Sequence, residues 1–162
     1  LKVLVRIFKP RKILWLAGAS MIAGGVLLAF MVIDSGYKIS PAQNSSNPLC
    51  VKIISKTPPE MEGESRYNVD SPGVAAWGKP SIILRCGVAM PAPTIDPCVE
   101  VNGIQWVFGE KKKEREGITT LTTYGRKPAV EVTFLGSSTQ AAMELVALGE
   151  AVSQAPQTSK CL

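Results

Sequence analysis

The stretch SIILRCGVAMPAPTIDPCVEVNGIQWVF, Ser81 to Phe108, decides the fold. Its first eight residues are apolar apart from Ser81 and Arg85, which suits a buried strand. A proline-rich segment follows, with Cys86 and Cys98 on either side of it. Val-Glu-Val, Asn-Gly and Ile-Gln-Trp-Val-Phe then read as strand, tight turn and strand. Downstream, ITTLTTY and AVEVTFL continue the strand-like pattern, separated by Gly-Arg-Lys-Pro. Val99 and Val101, and Val130, Val132 and Phe134, alternate with Glu100, Glu131 and Thr133. Such alternation gives one apolar and one wet face, the mark of an antiparallel sheet. About four to five strands are expected.

Two helices are expected to cover the apolar face. NPLCVKIISKTPPE has Asn47 as N-cap, Pro48 at the first helical position and Pro58-Pro59 as the stop. SSTQAAMELVALGEAVSQAP reads as one helix capped near Ser137 or Ser138, with Ala142, Leu145, Val146 and Val152 among its apolar positions. Between the first helix and Ser81, MEGESRYNVDSPGVAAWGKP reads mostly as loop. A sheet with one wet face and two helices makes a two-layer α+β domain. Its expected bounds are residues 48–162.

The chain before this domain is of a different kind. From Ile13 to Ile33 runs ILWLAGASMIAGGVLLAFMVI, 21 residues without a charge, long enough as a helix to span roughly 30 Å of hydrocarbon. Signal peptides usually carry only about 7 to 15 apolar residues before a small-residue cleavage site, so residues 13–33 read as an uncleaved transmembrane anchor. Lys2, Arg6, Lys9, Arg11 and Lys12 precede it without an acid, and the first charge after it is Asp34. The positive-inside bias then puts residues 1–12 in the cytoplasm and the remainder outside. Trp15 and Tyr37 would lie near the two interfaces. Residues 34–47, rich in Ser, Asn and Pro, read as an extended tether.

Charge follows the same division. Of 18 Lys and Arg, five precede the anchor, leaving 13 against all 13 Asp and Glu. The outer part is formally neutral, which argues against nucleic acid as a partner. Anionic inner-leaflet lipid is the natural partner of the five basic residues. Within the anchor, Ser20 and Gly24 stand at small-x-x-x-small spacing, a helix-packing face towards an integral-membrane partner.

Cys50, Cys86, Cys98 and Cys161 all follow the anchor, in a compartment where disulfides persist. Two structural bridges are the simplest reading, and four cysteines allow three pairings. Zinc would need all four as ligands, because the chain has no histidine, and the spacings lack a Cys-x₂₋₄-Cys knuckle. Neither Cys-x-x-Cys nor a haem-attachment motif occurs, so no cofactor is expected.

AWGKPSIILRCGVAMPAP, VEVNGIQWVF and TTYGRKPAVEVTF resemble successive blocks of a domain of unknown function found in actinobacterial membrane-anchored or lipoprotein-like envelope proteins. The resemblance covers Leu49 to Val152. It implies a bridge between Cys50 and Cys86, leaving Cys98 and Cys161 as a further pair. Many relatives carry a lipid-attachment cysteine after the signal segment; here Asn-Pro-Leu precedes Cys50, well past the apolar run. Small anchored accessory proteins of this build accompany the actinobacterial respiratory supercomplex that joins a cytochrome bcc complex to an aa3 oxidase, an analogy of architecture.

Other signals point away from catalysis. Ser35-Gly-Tyr-Lys38 matches the Ser-x-x-Lys nucleophile motif, but it lies in the tether and lacks Ser-Asp-Asn and Lys-Thr-Gly partners. Without histidine, Ser-His and Cys-His catalysis are excluded. Glu100 and Glu131 would form a carboxylate pair only if their strands were neighbours, and outward acids on strands are ordinary solvated positions. Asn44-Ser45-Ser46 fits a glycosylation sequon and reads more simply as polar tether. In GEKKKEREG, Gly109 to Gly117, the cations Lys111, Lys112, Lys113 and Arg115 are the candidate partner contacts.

The expected protein is therefore a non-catalytic, single-pass, extracytoplasmic accessory subunit of a multisubunit membrane complex. The alternative is an envelope module that binds a small ligand or cell-wall fragment beside Pro91–Pro97, with Trp77, Trp106 and Arg85 lining the groove.

Overall fold

A computed structural model describes residues 38–79, 81–109, 118–135 and 141–161. They belong to one compact unit, Gly36–Leu162. The basic tail, the apolar run 13–33 with Ser20 and Gly24, and Ser35 lie outside the described residues. No helix among the described residues is long and apolar enough to cross a membrane.

Helix α1 (Pro48–Ser55) starts as its sequence demands: Asn47 Oδ1 accepts the Leu49 N–H at 2.9 Å and Pro48 sits in the first turn. It buries Cys50 and Ile53. Eight strands follow: β1 (Glu60–Met61), β2 (Glu64–Tyr67), β3 (Val74–Trp77), β4 (Ile82–Val88), β5 (Cys98–Val101), β6 (Ile104–Phe108), β7 (Thr119–Thr123) and β8 (Ala129–Phe134). They form one antiparallel sheet in the order β1-β2-β3-β4-β8-β7-β6-β5.

The sheet is larger than the four to five strands expected. The additional strands, β1 to β3, come from the stretch read as loop. β2 is Glu-Ser-Arg-Tyr, too polar to signal a strand, and β3 is Val-Ala-Ala-Trp, buried at every position and so without alternation. The C-terminal helix also differs: it is two short helices, α2 (Ala141–Ala147) and α3 (Gly149–Val152). Gly149, a poor helix former, stands at the break. Leu145, Leu148, Ala151 and Val152 still face inward, whereas Val146, expected inward, is exposed. Ser137 and Ser138 lie outside the described residues.

Register separates the two faces of the sheet. Trp77, Ile82 and Phe134 share one row, and Ala75, Leu84, Val132 and Leu121 another. With Trp106 and Ile104 they form the core beneath the helices; α1 packs on α3 and β4, and α2 on α3 and β5. On the opposite face, one row crosses six strands: Val74, Arg85, Glu131, Thr122, Val107 and Cys98.

Residues 38–47, the described part of the segment read as an extended tether, lie against the domain. Ser45 is buried, the Asn44 N–H donates to the Gly87 carbonyl at 3.0 Å, and the Ser71 hydroxyl donates to the Ile39 carbonyl at 2.7 Å. Gly87 has a φ of +87°, and a Cβ there would collide with the Asn44 backbone. The C-terminal tail arrives at the same end of the sheet. Thr158 N–H donates to Gly125 at 2.6 Å and Lys127 N–H to Pro156 at 3.1 Å. Gly125, at a φ of +64°, lies too close to the Ser159 carbonyl for any side chain.

Candidate functional site

Two disulfides hold the domain, one on each face. Cys50–Cys86 joins α1 to β4 inside the core, with Cα atoms 5.5 Å apart. Cys98–Cys161 joins β5 to the tail on the opposite face, with Cα atoms 6.5 Å apart. This is the pairing that the resemblance implies. Cys86 and Cys98 also bound the proline-rich segment, so each root of the 87–97 connection is cross-linked to a different part of the chain.

Between those roots, residues 90–97 project into solvent. Ile95 is as exposed as in an extended chain and Met90 is 50% exposed. Pro91, Pro93 and Pro97 restrict its backbone, and the Pro97 carbonyl accepts the Phe108 N–H at 3.1 Å, which continues the β5–β6 pairing. A mostly apolar loop fixed at both ends and stiffened by proline has little conformational freedom to lose on contact.

A partly open cleft of about 640 Å³ lies at the first root of the loop. Asn44, Ser46 and Asn47 form one side, Val88 to Met90 the second, and Arg126 to Ala129 the third. Arg126 is only 8% exposed, and its guanidinium donates to the Ala155 carbonyl at 2.6 Å and the Gly103 carbonyl at 3.3 Å. Its Nε finds no acceptor among the described residues, and burial pulls its pKa down. Lys127 is exposed and its side chain makes no ion pair among the described residues. A smaller hollow of about 330 Å³ lies under the far half of the loop, between Pro93–Cys98, Val107, Tyr124 and Cys161.

The groove expected at Trp77, Trp106 and Arg85 does not form. Both tryptophans are fully buried in the core, and Arg85 is engaged with Glu131, its direct neighbour across β4 and β8. Glu100 and Glu131 are not a pair either, because β6 and β7 separate their strands. Lys111, Lys112, Lys113 and Arg115 belong to the β6–β7 connection and lie outside the described residues. The described residues contain no group of three metal-ligating side chains.

Among the described residues three further ionisable groups depart from ordinary behaviour. Burial, and then the neighbouring Glu62 carboxylate, raise the pKa of Glu144 on α2, although a hydrogen bond from the Glu62 backbone opposes this. Glu150 is lowered by its 2.7 Å contact with Lys56, which ties α3 to the end of α1. Burial lowers Arg66, whose guanidinium donates to the Ile54 carbonyl at 3.1 Å.

The cleft was not anticipated from the sequence. Gly-Arg-Lys-Pro reads as a turn and Asn44 to Asn47 as tether; nothing in either pattern says that chain segments more than 70 residues apart in sequence meet through Gly87. A family model described as a protein of unknown function (DUF3515) matches residues 32–161. Comparison with curated proteins and with solved structures gives no match.

Proposed function

The chain belongs to the DUF3515 family, whose function is unknown, and from its own residues we propose that it is a membrane-anchored extracytoplasmic accessory subunit working by contact rather than chemistry. The observation that carries this reading is the loop 90–97, mostly apolar apart from Thr94 and Asp96, exposed and fixed at both roots by disulfides. Disulfides of this kind suit an oxidising compartment. The uncharged run 13–33, preceded by five basic residues, supports an anchor with its N-terminus inside. Ser20 and Gly24 would pack that anchor on an integral-membrane subunit, and Lys111, Lys112, Lys113 and Arg115 would add charged contacts outside. Two attachment points on one chain raise the effective concentration of each contact.

The assembly proposed is the actinobacterial respiratory bcc–aa3 supercomplex, on the architectural resemblance alone. The other class of reading, capture of a small ligand by Trp77, Trp106 and Arg85, has no support at those residues.

The test is native purification of the tagged full chain followed by mass spectrometry. Oxidase and cytochrome subunits are expected with the wild type and are lost with a Met90→Lys, Ile95→Lys double variant. Exposed substitutions of this kind usually change stability by no more than about 0.5 kcal/mol, so the variant remains folded. Recovery of the chain without membrane partners would overturn the proposal.

A further inference from the structure

The cleft beside the loop presents a charge imbalance that the described residues do not resolve. Buried charges are normally paired, because an uncompensated ion in a low-dielectric setting is costly. Arg126 is buried, yet its partners among the described residues are two neutral carbonyls, and its Nε has no acceptor among them. The adjacent Lys127 is exposed and unpaired among the described residues. Among the described residues no Asp or Glu lines the cleft. The remaining walls divide into two kinds: amide side chains of Asn44 and Asn47, able to donate to an anion, and apolar surface from Met90 and Pro128.

The geometry points to a phosphate-binding cleft between Asn44, Asn47, Met90, Arg126, Lys127 and Pro128 that takes a phosphorylated ligand carrying a short apolar group. Phosphate supplies the missing negative charge beside Arg126 and accepts hydrogen bonds from Lys127 and the two asparagines. At about 640 Å³ the space exceeds what a phosphate alone would fill, and the Met90–Pro128 side accommodates the apolar remainder. This inference concerns a ligand and is independent of the accessory role proposed above. Two sources supply the same chemistry, a phospholipid headgroup and a soluble phosphate ester.

The experiment uses the full chain in a phosphate-free maltoside detergent, titrated calorimetrically with dihexanoyl phosphatidylglycerol, glycerol phosphate and inorganic phosphate. Saturable binding of at least one probe is expected, weakened ten-fold or more by Lys127→Glu and retained by Lys127→Arg. Asn44→Asp, which adds a negative charge to another wall, should weaken it as well. Both positions are exposed, and urea unfolding of each variant checks that the fold is kept. Binding of the lipid alone assigns the headgroup as ligand; binding of glycerol phosphate or inorganic phosphate as well assigns a soluble ester. The inference is overturned if no probe binds saturably, or if a folded Lys127→Glu or Asn44→Asp variant binds as the wild type does. The five basic residues before the anchor are identical in every variant, so their own attraction for anionic lipid does not imitate the loss.

Discussion

Trp77 and Trp106 are both fully buried, but their indoles are satisfied differently. Trp77 Nε1–H donates to the Pro58 carbonyl at 3.0 Å, whereas Trp106 Nε1 has no acceptor among the described residues. Replacing Trp77 by Phe removes a hydrogen bond and strands a carbonyl; replacing Trp106 removes a polar group that was already paying its desolvation. Trp77→Phe should therefore cost about 1 kcal/mol more than Trp106→Phe, read from urea unfolding with the disulfides intact. Glu144 provides a pH-dependent counterpart. Its pKa is raised in the fold, so its ionisation opposes folding: the contribution is fully present below the unfolded carboxyl pKa and is lost as pH rises through the folded value. A Glu144→Gln variant should match the wild type in acid and become the more stable of the two towards neutral pH. Equal stability at both ends of the range would show that the Glu62 hydrogen bond offsets the burial.

At the scale of elements, the two bridges differ in exposure. Cys50 and Cys86 are each 0% exposed, while Cys98 is exposed and Cys161 half-buried. Thiol–disulfide exchange requires access to sulfur. Graded reduction followed by alkylation of the native domain should label Cys98 and Cys161 first, with Cys50 and Cys86 reacting only on unfolding. Simultaneous labelling of all four would mean that α1 opens readily from β4. The same elements show what a one-dimensional pattern can reveal. Helix α1 was legible because Asn47, Pro48 and the Pro58-Pro59 stop act locally. Strands β4 to β8 were legible because a half-buried strand alternates or runs apolar. β1 to β3 were not, since two-residue and four-residue strands owe their conformation to neighbours across the sheet. The cleft was hidden for a related reason. Its walls meet only through the backbone approach of Asn44 to Gly87 and the tail packing at Gly125, and a glycine in sequence does not announce which segment will lie against it.

Across the whole molecule, the bridges close two loops that do not overlap, with sequence separations of 36 and 63. The unfolded chain is thus two rings joined by residues 87–97, and each ring restricts that ensemble independently of the other. The loop-entropy relation gives about 4 kcal/mol for each closure, together comparable to the net stability of a typical domain, on the order of 5 to 15 kcal/mol. Either bridge alone should leave a folded domain. The Cys50→Ala, Cys86→Ala variant and the Cys98→Ser, Cys161→Ser variant are each expected to retain a cooperative urea transition at a lower midpoint. Combining all four substitutions should leave little or no folded baseline at physiological temperature, because the core gains nothing to replace the two closures. Circular dichroism with urea titration reads both results. A combined variant with a transition as steep as the wild type's would show that burial in the sheet core suffices, and the case for the proposed oxidising compartment would weaken with it. A collapse confined to that variant would tie the stability of the domain to the closure of at least one ring, and so to the oxidising compartment proposed above.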